Sequence, residues 1–177
     1  MKVETFVKRL GAGALTGDGS VKIRGVTHDS RRVEKGNLFA AIPGGDVHGV
    51  KFVDQAVSAG AAAVLSDRRR PKRHDLPWIT VRHPRQAMAR GAWILSGNPQ
   101  KKLYLVGVTG TNGKSTTASL IGSILNAADL PTAVIGTLGA QFPDGSELAG
   151  ERTTPEATDL APIFKQAVAA NAEAVAM

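Results

Sequence analysis

Residues 103–116 limit what this chain can fold into more than any other segment. Leu103 to Val108 reads as an apolar strand, and Thr109-Gly110-Thr111-Asn112-Gly113-Lys114-Ser115-Thr116 follows it without a break. Ser115 opens a predicted helix on which Leu120, Ile121, Ile124 and Leu125 form an apolar stripe. Strand, glycine loop and helix in this order are the context of a phosphate loop. Glycines let the backbone curl so that successive N–H groups converge on an anion, and the helix N-terminus adds partial positive charge. In that reading Gly110 to Thr116 binds ATP, Lys114 lies along the terminal phosphates, and the Ser115 hydroxyl ligates Mg²⁺. One departure stands out: Val108 occupies the place, six residues before the lysine, where the general pattern has glycine. The competing reading is a plain glycine turn with an exposed lysine.

The rest of the chain alternates strands and helices. Val21 to Thr27 alternates apolar and polar and predicts a half-buried strand. Leu38 to Ile42 is a continuous apolar run closed by Pro43-Gly44-Gly45, a buried strand entering a turn. Phe52, Val53, Ala56 and Val57 recur at helical spacing up to Gly60, and strands are predicted over 61–65 and 76–81. Pro84 starts a helix carrying Met88, Ala92 and Leu95 on one face, ended by Gly97-Asn98-Pro99. After the phosphate loop come a strand at 132–135, a hairpin across Pro143-Asp144-Gly145, a helix over 155–170 and an apolar run, Ala174 to Met177. This is an α/β pattern. The breakers at 97–102 suggest two domains, 1–98 and 99–177. The last run reads as a core strand just beginning, so the expectation is an incomplete second domain.

Charge and composition narrow the function. The chain has 177 residues and no cysteine, which excludes disulfides and thiolate metal sites. No apolar run approaches the roughly 20 residues that span a bilayer, and the start does not read as a signal peptide, so the expectation is a cytoplasmic protein with no membrane partner. Lys and Arg number 22 against 15 Asp and Glu, a net +7. Much of the excess sits in Arg68-Arg69-Arg70-Pro71-Lys72-Arg73, which reads as a solvated loop. A nucleic-acid patch is the rival, but no aromatic residues interleave to stack bases, so no nucleic-acid partner is expected.

Gly110-Thr111-Asn112-Gly113-Lys114-Ser115-Thr116 resembles the ATP loop of the Mur ligases, ATP-dependent enzymes that add amino acids to the peptidoglycan precursor. Thr27-His28-Asp29-Ser30-Arg31-Arg32-Val33 with Gly36-Asn37-Leu38-Phe39-Ala40-Ala41 resembles the first domain of the members that add the third residue. So do Gly136-Thr137-Leu138-Gly139 and Thr153-Thr154-Pro155-Glu156-Ala157-Thr158-Asp159-Leu160. The resemblance covers nearly the whole chain in the family's order. It implies a small N-terminal α/β domain that binds a uridine nucleotide, followed by the first part of a Mur-type P-loop ATP-binding domain. The implied cofactors are ATP and Mg²⁺, and the implied partners are UDP-N-acetylmuramoyl-L-alanyl-D-glutamate and an incoming amino acid. Ser30 would contact the uridine nucleotide, the turn 44–49 would lie near its uracil, and Thr153 and Thr154 would hold the muramyl-peptide end. The turn departs from the common Asp-Gly-His version, having His48-Gly49-Val50.

Each assignment has a plainer rival. Ser30 could merely close a turn before Arg31. Thr154-Pro155-Glu156 also reads as N-cap, first-turn proline and first-turn acid of a helix. His28 and His48 read as structural, because no acid–base partner stands at a recognisable spacing. The implied reaction passes the γ-phosphate of ATP to a substrate carboxylate, after which an amine displaces phosphate; Lys114 is the candidate catalytic residue. In the family, further metal ligands and the selector of the amino acid follow the last run, so the chain alone is expected to be inactive. Meso-diaminopimelate rather than lysine is the expected third residue. The alternatives are a non-catalytic nucleotide-binding product and a different ligase on the same scaffold, such as a folylpolyglutamate synthetase.

Overall fold

A computed structural model describes residues 1–150 and 155–177. The chain divides into two compact units, Met1–Ser96 and Gly97–Met177.

The first unit is a five-stranded sheet in the order β1-β5-β4-β3-β2. Its strands are β1 (Ala14–Thr16), β2 (Val26–Thr27), β3 (Leu38–Ala41), β4 (Ala63–Ser66) and β5 (Trp78–Thr80). β2 to β5 are parallel, and β1 closes one edge antiparallel to β5. Its helices are α1 (Val3–Leu10), α2 (Val53–Ser58) and α3 (Pro84–Leu95). Every residue of β3 and β4 is buried, as befits parallel strands covered on both faces. The pleat sends alternate residues to opposite layers. Leu38, Ala40, Ala63, Leu65 and Ile79 pack with Val3, Phe6 and Leu10 of α1 and with Ala87, Met88 and Ile94 of α3. Phe39, Ala41, Val64 and Trp78 face the other way, onto Val53 and Ala56 of α2.

Two readings of this unit change, and a third gains detail. α1 was not foreseen, although Val3, Phe6 and Leu10 have helical spacing and are fully buried. The strand expected over 21–27 shrinks to β2. Upstream of Gly25 the Ile23 N–H goes to Met1 O (2.8 Å) and the Val3 N–H to Val21 O (2.9 Å), so this stretch pairs with the N-terminal residues instead of the sheet. The basic loop is solvent-exposed at Arg68, Arg69, Lys72 and Arg73, as expected, and is also anchored. His74 is buried and stacks on Trp78, the Trp78 indole N–H donates to Arg68 O (2.7 Å), and Arg73 pairs with Asp54 of α2 (3.0 Å).

The second unit has the order β6-β10-β7-β8-β9. β6 (Tyr104–Val106), β10 (Ala174–Ala176) and β7 (Thr132–Gly136) run parallel. β8 (Gly139–Gln141) and β9 (Glu147–Ala149) complete it as an antiparallel hairpin. Within the final apolar run, Ala174–Ala176 thus lies between β6 and β7, fully buried.

Its helices are α4 (Lys114–Ala127) and α5 (Ala157–Ala169). The apolar stripe expected on α4 is not its buried face: Leu120 and Ile124 are exposed, while Ala118 and Gly122 are buried. Small residues let the helix seat closely, Gly122 lying against the Val134 side chain of β7. α5 starts at Ala157, with Glu156 at the N-cap position and no side-chain cap bond. Pro155 therefore precedes the helix rather than opening it, and Thr154, the expected N-cap, lies outside the described residues.

Candidate functional site

β6 ends at Val106, and the chain passes through Gly107 to Gly113 directly into α4. Gly110 (φ 148°) and Gly113 (φ 77°) have backbone angles that side-chain-bearing residues rarely adopt, and they curl the loop. Gly113 is the N-cap and Lys114 the first helical residue, one earlier than the sequence suggests. The helical ladder begins with Thr117 N–H to Gly113 O (2.9 Å). The amides of Lys114, Ser115 and Thr116 precede it and are the orphan donors of a helix start. Lys114 folds back over the loop, its Nζ 2.7 Å from Gly110 O and 3.4 Å from Thr111 O. The loop is exposed, and the Ser115 Oγ lies 3.3 Å from Thr137 Oγ1, just past the end of β7. Curled backbone, helix-start amides with no backbone partner among the described residues, a lysine and an exposed hydroxyl fit a Mg²⁺-bound polyphosphate. A cavity of about 510 Å³ in this unit lies elsewhere, between α4 and the hairpin, and is lined by no residue of the phosphate loop.

In the first unit the four parallel strands end on one edge, the side of an α/β sheet where ligands generally bind. β2 leads to Asp29, Ser30 and Arg31, β3 to the turn 43–49, β4 to Asp67 and the basic loop, and β5 to Arg82 and His83. Asp29 accepts from the Arg31 backbone N–H (2.9 Å) and holds the guanidinium through two bonds of 2.9 and 2.7 Å. The Arg31 side chain first, and its N–H second, hold the Asp29 carboxyl down at about 2. This capped turn places Ser30, which is buried and donates to Gln55 Oε1 of α2 (2.8 Å).

The turn after β3 is tightly built. The Gly49 N–H returns to Ile42 O (2.9 Å) and the Gly44 N–H to Val47 O (3.2 Å). A Cβ on Gly49 would lie 2.9 Å from Ala41 Cα and from Ile42 N and O. His48 caps the short helix that follows, its Nδ1 accepting from the Val50 N–H (3.1 Å). Thr153 and Thr154 lie outside the described residues. Among the described residues no cluster of His, Asp and Glu is arranged to hold a metal, and no helix is long and apolar enough to cross a membrane.

Sequence reasoning found the phosphate loop but missed Gln55, Asp67 and Thr137 as partners. Only Thr137 carried a signal, lying in the Gly136-Thr137-Leu138-Gly139 segment.

Residues 22–93 match the model of the Mur ligase family, catalytic domain, and residues 108–177 that of the Mur ligase middle domain. The UDP-N-acetylmuramoyl-L-alanyl-D-glutamate--2,6-diaminopimelate ligase of Streptomyces coelicolor is 45% identical over 168 residues, 93% of this chain and 33% of that protein. Its Streptomyces avermitilis counterpart is 42% identical over 168 residues, with the same coverage of 93% and 33%. A solved structure of a ligase of that name superposes with a TM-score of 0.76 at 23% identity, over 99% of this chain and 35% of the other. The chain spans about a third of the length of these relatives. With both of its units matched to successive domains of one family, the chain belongs to the Mur ligases.

Proposed function

We propose that this chain carries the nucleotide-binding parts of an ATP-dependent ligase. That enzyme adds the third amino acid, meso-diaminopimelate, to UDP-N-acetylmuramoyl-L-alanyl-D-glutamate in peptidoglycan synthesis. The observation that carries the reading is the phosphate loop, seated between β6 and α4 with Lys114 folded over it. The names of the relatives supply the substrate class. In this reading residues 1–98 bind the UDP precursor and 99–177 bind ATP, in the cytoplasm where the nucleotide precursor is made.

Phosphoryl transfer needs alignment and charge neutralisation more than covalent help. The amides at the start of α4 and the ammonium of Lys114 bind and orient the terminal phosphates. For that, Lys114 exchanges the Gly110 carbonyl for phosphate oxygen, a short movement for a long and partly exposed side chain. Gly110, Thr111, Asn112, Gly113 and Thr116 shape the cradle, and Ser115 holds Mg²⁺, which supplies charge neutralisation when bound. In the first unit Ser30, fixed by Asp29 and Gln55, contacts the uridine nucleotide, with exposed Arg31, Arg68 and Arg69 at the same strand ends to attract its phosphates. Thr153 and Thr154 hold the muramyl-peptide end.

Titration of the chain with ATP in Mg²⁺ tests the ATP half. Saturable binding that weakens strongly in Lys114→Ala is the expected result. A folded chain that binds no ATP would remove the reading.

A further inference from the structure

Ser115 and Thr137 meet across the mouth of the phosphate loop. They are 22 positions apart in sequence, and their hydroxyl oxygens are 3.3 Å apart. The fold brings them together because β6 and β7 are parallel and end on the same edge, and α4 starts at that edge and packs on β7. Gly136, the last residue of β7, runs close beside the helix start, where a Cβ would sit 3.8 Å from Ser115 Oγ.

A serine hydroxyl has one hydrogen and two lone pairs. When it ligates a cation its hydrogen must point away from the metal and find an acceptor. An unplaced hydrogen rotates freely and spends part of its time facing the cation. Thr137 Oγ1 is an acceptor at the right distance, on a strand end rather than on the loop itself.

Resting on the ATP reading above, we propose that Thr137 is a positioning residue for the divalent cation: its Oγ1 accepts the Ser115 hydroxyl hydrogen and so turns a Ser115 lone pair toward the phosphate-bound metal. Thr137 does not touch the nucleotide in this account. Partners that orient a metal ligand commonly change metal affinity about 10- to 100-fold when removed.

The test measures ATP binding to the whole chain over a series of Mg²⁺ concentrations, for the unaltered chain, Thr137→Val, Thr137→Ser, Ser115→Ala and the Ser115→Ala/Thr137→Val pair. Thr137→Val keeps the shape and removes the acceptor. It is expected to raise the Mg²⁺ concentration for half-maximal enhancement about tenfold, while affinity for metal-free ATP stays within about twofold. Thr137→Ser is expected to restore the original requirement. In the Ser115→Ala background Thr137→Val should change nothing further, because the two act as a unit. An unchanged Mg²⁺ requirement in Thr137→Val overturns the proposal. So does an equal loss of metal-free ATP affinity, which would mark a merely structural threonine. If Thr137→Val does not fold, the same comparison between Thr137→Ser and Thr137→Ala decides. Failure of the unaltered chain to bind ATP at all would instead remove the ATP reading, and this proposal with it.

Discussion

His48 and Asp67 join the loops that follow two neighbouring parallel strands, with His48 Nε2 2.9 Å from Asp67 Oδ1. Because Nδ1 accepts from the Val50 N–H, the neutral ring carries its hydrogen on Nε2 and donates it to the carboxylate. The Ser66 hydroxyl beside it donates to Ala41 O at 2.9 Å and lies 3.3 Å from Asp67 Oδ1. One imidazole therefore caps a short helix and ties the turn after β3 to the end of β4.

Loss of that ring should loosen the turn. His48→Ala is expected to lower stability by about 1 kcal/mol, the usual size of a lost cap, and to speed proteolysis within residues 43–49. His48→Asn keeps a capping oxygen and a donor, so it should recover most of the loss. Urea midpoints of the three chains check this; equal midpoints for Ala and Asn would contradict the capping role.

Gly49 should be intolerant for a different reason. Its missing Cβ would lie 2.9 Å from backbone atoms of Ala41 and Ile42, which cannot move without disturbing buried β3. Gly49→Ala is therefore expected to cost about 1–3 kcal/mol by overpacking, measured as a lowered urea midpoint with an unchanged slope.

Asp29 gives the N-terminal unit an acid-sensitive element. Its carboxyl is held at about 2, below the ordinary 3.8, by Arg31. The ionised form favours the folded chain, so its contribution is complete above about pH 4 and is lost as pH falls toward about 2. The guanidinium is largely exposed, so solvent screening leaves an effect on the order of 1 kcal/mol. Asp29→Asn should flatten the fall in stability across that window relative to the unaltered chain. Parallel slopes for the two would count against it.

Lys114→Ala should weaken MgATP binding about 10- to 100-fold, the scale of one lost hydrogen bond between charged groups, without lowering the melting temperature. Its side chain is partly exposed, and among the described residues its hydrogen bonds go to loop carbonyls. A preserved affinity would show that the loop binds no terminal phosphate.

What the sequence makes legible here is local. The phosphate loop, β3, β4 and α3 are bounded by glycines and prolines within a few residues of each apolar run, so their existence and type can be read directly. The misreadings come from contacts between distant residues. Nothing near residues 21–23 says that their partners are Met1 and Val3. Nothing in the basic run says that Asp54 of α2 receives Arg73, or that Trp78 stacks with His74. α4 carries large apolar residues, yet its small ones face the sheet, because close approach to Val134 decides the orientation. The same holds in the candidate sites. Ser30 and Lys114 are recognisable from their neighbours, whereas Gln55, Asp67 and Thr137 become partners only when the parallel strands bring their ends together.

The most direct test of the account is a calorimetric titration of the chain with UDP-N-acetylmuramoyl-L-alanyl-D-glutamate, with UDP as reference. The account predicts saturable binding of the precursor, weaker binding of UDP, and loss of both when Ser30 is replaced by a bulky residue. A folded chain that binds MgATP but neither uridine compound would contradict the assignment of the N-terminal unit.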